Sequence, residues 1–266
     1  MSDKEVMEIN IVTVLITFFV TFLGGLIQGT VAFGMGIFIV ICLAWLFPGL
    51  TLIPFVTLVS GVNLADMVRR RRVPVRSIFS PVLLFPSLLG VSLGTWLLVH
   101  LPDWGIKMTL GIVIFITGVV FTIRPPKPRA DLNDINNEKH EPWVISKAAV
   151  TFLGSILGGW ISTAGPPMIL YGYGTMPPEA SQRYLIRAFL LGVTIKLFTY
   201  GYSGLWTREV LLWTGACLIF VLVGTAIGHH LAERLPAERL RRIAWVVFAV
   251  MGFLLLVRSL FQTQMG

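Results

Sequence analysis

Apolar runs long enough to cross a lipid bilayer recur along almost the whole chain, and two of them are broken in the middle. The hydrocarbon core of a bilayer takes about 20 helical residues to cross. Inside it every backbone N–H and C=O must be paired, which for runs of this kind means helix. The breaks lie in residues 22–40, FLGGLIQGTVAFGMGIFIV, and residues 152–171, FLGSILGGWISTAGPPMILY. Each stretch begins as an apolar helix, meets a small, polar, Gly-rich turn, and resumes as a second apolar run. Loosened backbone at that depth is tolerated only where it is buried in protein or lines a cavity. Two such breaks, at matching positions in two halves, point to the binding site of a transporter.

Composition agrees with a polytopic helical membrane protein. The 266 residues are 55% hydrophobic and 13% charged, with a mean hydropathy of +0.82. Soluble domains carry about 25% charged residues. Residues 1–10 are short and acidic and lack the basic start and small-residue cleavage site of a signal peptide, so the first apolar run is expected to stay. The net charge of +8 does not indicate a nucleic-acid partner, because Lys and Arg cluster at the ends of apolar runs, as the positive-inside rule describes. Cys42 and Cys217 lie far apart inside apolar runs and read as small buried hydrophobes. No metal-ligand spacing is seen, and no cofactor is expected.

The apolar segments are residues 11–28, 33–47, 51–68, 78–100 and 105–123, then 143–160, 166–173, 182–202, 210–230 and 243–260. Between the two sets lies RPPKPRADLNDINNEKHEP, a polar, Pro-rich linker. The domains are therefore a first transmembrane repeat (1–123), a cytoplasmic linker (124–142) and a second, inverted repeat (143–266). Internal echoes support a duplication: Phe22-Leu23-Gly24 with Phe152-Leu153-Gly154, Gly94-Thr95 with Gly224-Thr225, His100 with His230, and Pro102 with Pro236. Five segments per repeat would give the halves opposite orientations. The charges agree. A basic cluster, Arg69 to Arg72, follows the third segment of the first half, whereas the second half has only Arg208 there. Between the fourth and fifth segments the first half has only Lys107, and the second half has Arg234, Arg239, Arg241 and Arg242. The basic loop switches place, as inverted repeats require. Both termini are then expected outside. In each half the first two segments enter and leave on the same side, as two full spans or as a hairpin that turns partway across; residues 166–173 are too short to span, so a re-entrant hairpin with its tip in the membrane is expected at least in the second half.

The expected substrate site gathers at the tips. Gln28, Gly29, Thr30, Phe33 and Gly34 surround the first break; Ser162, Thr163, Gly165, Pro166 and Pro167 surround the second, and Tyr171 closes its apolar run. Proline is favoured at the start of a helix, so Pro166-Pro167 reads as the beginning of a half-helix. Two half-helix N-termini would favour an anion through free amides and the helix dipole. Arg187 and Lys196 lie in the segment that follows; Arg187 is expected to face the central cavity and to pair with an anion. Asn63 and Asp66 occupy a comparable stretch of the first half. Asp66 is the one acid inside the apolar runs and hence the candidate for coupling to a proton; the alternative is an interfacial pair with Arg69 or Arg70.

These tips, GGLIQGTVAFGMG and GGWISTAGPPMILYGY, with RAFLLGVTIKLFTYGYSGL and the paired Gly-Thr helices, resemble the TauE/SafE sulfite exporter family of bacterial membrane permeases over essentially the whole chain. The resemblance implies a bacterial inner (plasma) membrane protein that transports small anions, typically sulfite or short organosulfonates. The implied binding residues are Arg187, Gln28 and the tip from Ser162 to Pro167. The leading reading is a secondary transporter, an exporter working by alternating access. The alternative is a passive anion channel. A membrane-embedded enzyme would need convergent nucleophile, base or metal groups, and the sequence offers none.

Overall fold

A computed structural model describes residues 10–31, 34–70, 78–123, 142–162, 165–232 and 237–264. Phe33, Thr163, nearly all of the linker at 124–142, and most of the basic clusters at 69–76 and 234–242 lie outside the residues or side chains described. The described residues form ten helices and no strand. They are α1 (Ile11–Val31), α2 (Met35–Leu43), α3 (Gly49–Arg70), α4 (Pro81–His100), α5 (Asp103–Ile123), α6 (Pro142–Ile161), α7 (Gly165–Thr175), α8 (Pro178–Tyr202), α9 (Arg208–Ala232) and α10 (Ala237–Gln264).

Local chemistry sets the ends. Pro81 and Pro178 open α4 and α8, where a missing N–H costs nothing. The Asp103 carboxylate accepts the Gly49 amide at 2.6 Å, satisfying one of the free donors at the start of α3. Helices α1, α3, α4, α5, α8 and α9 are long and apolar enough to cross a bilayer. With 9 and 11 residues, α2 and α7 are not. At about 1.5 Å per residue they reach roughly half the bilayer core.

Three interfaces dominate: α1 on α9, α4 on α6, and α5 on α10. All three join the first half of the chain to the second. In the five-segment register α1 corresponds to α6 and α4 to α9, so the first two interfaces are equivalents of each other. Lipid supplies no hydrophobic drive for helix association, so contact comes from close backbone packing at small residues. That is what the glycines provide. Gly25 and Gly29 lie against the backbone of α9 at Val221 and Thr225, and Gly224 lies against Phe22 of α1. Gly90 and Gly94 lie in the same way against Phe152 and Ile156 of α6, and Gly159 against Val91 of α4. On α5 and α10 the contact is reciprocal, Gly118 on Ala249 and Gly252 on Phe115. Gly118 and Gly252 each stand 16 residues after the matching prolines Pro102 and Pro236, and Phe115 and Ala249 each stand 13 after them. Hydrogen bonds repeat the pattern: Asn63 Nδ2 of α3 donates to Thr225 Oγ1 of α9 (2.5 Å), and Thr95 Oγ1 of α4 donates to Thr199 Oγ1 of α8 (3.1 Å).

The paired helices wrap a centre built from α2, α3, α7 and α8. Helix α2 buries Met35, Ile37, Ile39, Val40, Ile41 and Leu43. Large apolar side chains also cover the outside: Phe19, Phe85, Ile116, Ile219 and Phe253 are exposed. A helix apolar on all sides is suited to a membrane. Exchanging Gly94 for isoleucine would drive a side chain into the Ile156 carbonyl and the Trp160 amide. The variant should lose about 1–3 kcal/mol, read as a lower unfolding temperature in detergent. Gly215→Ile, where no atom lies within 4 Å of an added Cβ, should not.

Candidate functional site

The two breaks sit where the chain leaves helical geometry. Before α2, Gly34 adopts φ +98°, a left-handed conformation open to glycine. After α6, Ser162 adopts φ +55°, a region few residues with a Cβ enter. The breaks meet each other: a Cβ added at Gly36 would stand 3.3 Å from the Ser162 carbonyl oxygen, and one added at Gly165 would stand 3.5 Å from Ile37 Cδ1.

Protein groups take up the freed backbone. Gln28 Oε1 accepts the Met35 amide at 3.3 Å, capping the start of α2, and Gln28 Nε2 lies 3.5 Å from Met67 Sδ. The buried Tyr200 hydroxyl donates to the Gly159 carbonyl near the end of α6 at 2.6 Å. These are orphan groups of helix ends, and each is costly if left unpaired in a dry interior. At the start of α7, Pro166 and Pro167 have no N–H to offer, so the rim of free amides is thinner than the motif suggests.

Around the meeting point lies a cavity of about 80 Å³. Its polar lining includes Gln28, Ser60, Ser155, Ser162 and Lys196. Lys196 is the one charged side chain among the described lining residues, and it is 6% exposed. Lys196 Nζ donates to Ser162 Oγ at 3.3 Å; Ser162 Oγ lies 3.2 Å from Thr57 Oγ1; and Thr57 donates to the Ile53 carbonyl at 2.9 Å. Either hydroxyl of the Ser162–Thr57 pair can donate to the other, and Ser162 Oγ accepts from Lys196. That bond uses one of the three ammonium N–H donors of Lys196 and leaves two.

Of the residues expected at the site, Gln28, Gly34, Ser162, Gly165 and Lys196 line the cavity. The others that are described do not. Gly29 packs on α9 and Thr30 donates to the Ile27 carbonyl (2.8 Å). Asn63 is buried against Thr225 and Met35. Pro166 and Pro167 are not among the lining residues, and Tyr171 packs edge-on to Tyr184. Asp66 is half-buried, already engaged with a neighbour, and outside the lining.

Arg187 does not face the cavity. The expectation that it would is corrected by helix geometry. The face of α8 on the cavity carries Ala188, Phe189, Gly192, Val193 and Lys196. Nine residues separate Arg187 from Lys196, and at about 100° per residue they point to opposite sides. Arg187 is half-buried, with its Nε unpaired. Sequence reasoning also passed over Ser60, Leu64, Ser155, Phe189 and Gly192; the only signal for them was the i, i+4 spacing of small residues with a lysine, Ala188, Gly192 and Lys196.

Gly192 offers a clean probe, since no atom lies within 4 Å of a Cβ added there. Gly192→Val should fill cavity space and weaken anion binding more than tenfold, about 1.4 kcal/mol, without lowering the unfolding temperature of the unliganded protein. Calorimetric titration together with thermal unfolding reads both effects. Gly34→Leu could not separate them, because φ +98° strains any side chain.

The family model described as Sulfite exporter TauE/SafE matches residues 17–255, from α1 to α10. No curated protein and no solved structure matches the chain. An all-helical membrane architecture with several spans and this match over most of its length place the chain in the TauE/SafE sulfite exporter family of membrane transporters.

Proposed function

We propose that this chain is a secondary transporter, an exporter, of small anions such as sulfite or short organosulfonates, working by alternating access around the two helix breaks. The observation that carries the proposal is a cavity, placed where the breaks meet, that holds one buried ammonium group, Lys196. A buried cation without a carboxylate partner is costly in lipid surroundings, by at least about 2.5 kcal/mol. A site that presents one to a cavity is built for an anion.

The scaffold we propose is a pair of inverted repeats, α1–α5 and α6–α10, with α1–α2 and α6–α7 as re-entrant hairpins. Three features support it. Helices α2 and α7 are too short to span. The α1/α9 and α4/α6 interfaces are equivalents. The α5/α10 contact is reciprocal, as it must be for two helices lying across a two-fold axis. Rocking of the paired outer helices about the breaks would open the cavity to either side in turn. In a bacterial inner membrane the linker would be cytoplasmic and both termini external.

Two experiments test this. In proteoliposomes, labelled sulfite or propanesulfonate should show saturable uptake with counterflow; an ohmic current without counterflow would indicate the passive channel instead. Lys196→Met should reduce uptake more than tenfold. For topology, Cys42 and Cys217 are both free thiols and can first be replaced. A single cysteine placed in the 131–138 stretch should then resist impermeant reagents in intact cells. External labelling there would refute the inverted scheme.

A further inference from the structure

We infer that Lys196 is the coupling group of the transport cycle: it takes up one proton with each anion and releases both on the same side, so that anion and proton move together. The inference rests on the transport reading above and deepens it by naming the coupling ion and the residue that carries it. It moves that role away from Asp66, which is half-buried, engaged with a neighbour and outside the cavity lining.

The first argument is the company Lys196 keeps. It is buried, and it is the one titratable side chain among the described lining residues. The elements around the cavity carry other titratable groups: Cys42 on α2, Asp66 and Arg69 on α3, His100 on α4 and Lys147 on α6. Tyr171 and Tyr173 lie on α7, and Arg183, Tyr184, Arg187, Tyr200 and Tyr202 on α8. None of these lines the cavity, and α1 has no such group. Tyr200, one turn from Lys196, gives its proton to the Gly159 carbonyl. No carboxylate among the described lining residues therefore balances the ammonium. A buried charge without a partner tends to be neutralised, and a bound anion supplies the partner. Proton binding and anion binding at this amine thus favour each other, by the same factor. The loaded carrier crosses as ammonium plus anion and the empty one as the amine. An uncompensated cation never has to pass through the closed state.

The second argument is that the partner of Lys196 suits both of its forms. As an ammonium, Lys196 donates to Ser162 Oγ at 3.3 Å. As an amine it offers a lone pair, and a hydroxyl can rotate to donate where it had accepted. Either hydroxyl of the Ser162–Thr57 pair can donate to the other, and Thr57 also has the Ile53 carbonyl as an acceptor. Turning the Ser162 proton to the amine therefore leaves neither hydroxyl without a partner. A carboxylate in place of Ser162 would hold the proton on the lysine in every state. The step breaks only N–H and makes only O–H. As the anion leaves, the ammonium passes its proton to water, giving the amine and H3O+; on the loading side the reverse occurs. A singly charged anion then crosses without net charge, and a sulfite dianion crosses with the same proton as one net negative charge.

The test uses the purified full chain in proteoliposomes with labelled propanesulfonate. A sulfonate binds no proton of its own near neutral pH, so any proton that crosses with it is the carrier's. With the outside one pH unit more acidic, the wild type should accumulate the probe about tenfold, matching the proton ratio of a one-to-one coupling. A potassium potential set with valinomycin should leave that accumulation unchanged, and entry should acidify the lumen, read with a trapped pH dye. Lys196→Arg keeps a cation in the cavity but cannot give up its proton; the ratio of pH-driven accumulation to counterflow should fall about tenfold. If that variant carries no flux, the wild-type response to pH and potential decides alone. Accumulation that follows the potential and ignores pH would overturn the inference while leaving the transport reading intact. So would pH-driven accumulation that survives in Lys196→Arg, because the proton would then ride on another group. Absence of saturable flux in the wild type would overturn both.

Discussion

A helix broken inside a membrane leaves backbone groups that lipid cannot satisfy, and the rest of this structure depends on where those groups go. At the first break Gln28 takes the Met35 amide. At the second, Tyr200 covers the Gly159 carbonyl and two prolines remove donors that would otherwise need partners. The Gln28 and Tyr200 bonds come from neighbouring elements, so the breaks are satisfied when α1 meets α2 and α8 meets α6. The backbone constraint thus forces a compact centre, and the centre in turn leaves room for a cavity between the two tips.

What holds that centre is a shell of helices packed across the two halves. Apolar side chains gain little by leaving lipid for protein, so the shell relies on dispersion at short range. Gly25, Gly29, Gly90, Gly94, Gly118, Gly159, Gly224 and Gly252 allow backbones to touch. Because every major interface joins one half to the other, neither half completes its packing alone.

One charge gives the cavity its character. Lys196 is buried among hydroxyls and apolar side chains, and its hydrogen-bond chain through Ser162 and Thr57 ends on a backbone carbonyl. That chain holds the ammonium in place without neutralising it.

The ten segments and the two breaks could be read from the sequence, because each depends on local composition: apolar length, glycine where a turn must form, proline where a helix begins. Membership of the TauE/SafE family was legible for the same reason, in the tip motifs. The site was legible only in part. Gln28, Ser162 and Lys196 were named and line the cavity, yet Arg187, also expected there, is not among the lining residues, and Ser60, Phe189 and Gly192 were passed over. Periodicity alone states that Arg187 and Lys196 lie on opposite faces of α8, but not which face meets the cavity. That is decided by what packs against α8 from α3, α4, α6 and α7. With a cation on each of two opposite faces of α8, hydropathy carries no mark of inside and outside, so only tertiary contact distinguishes the face that lines the cavity from the other.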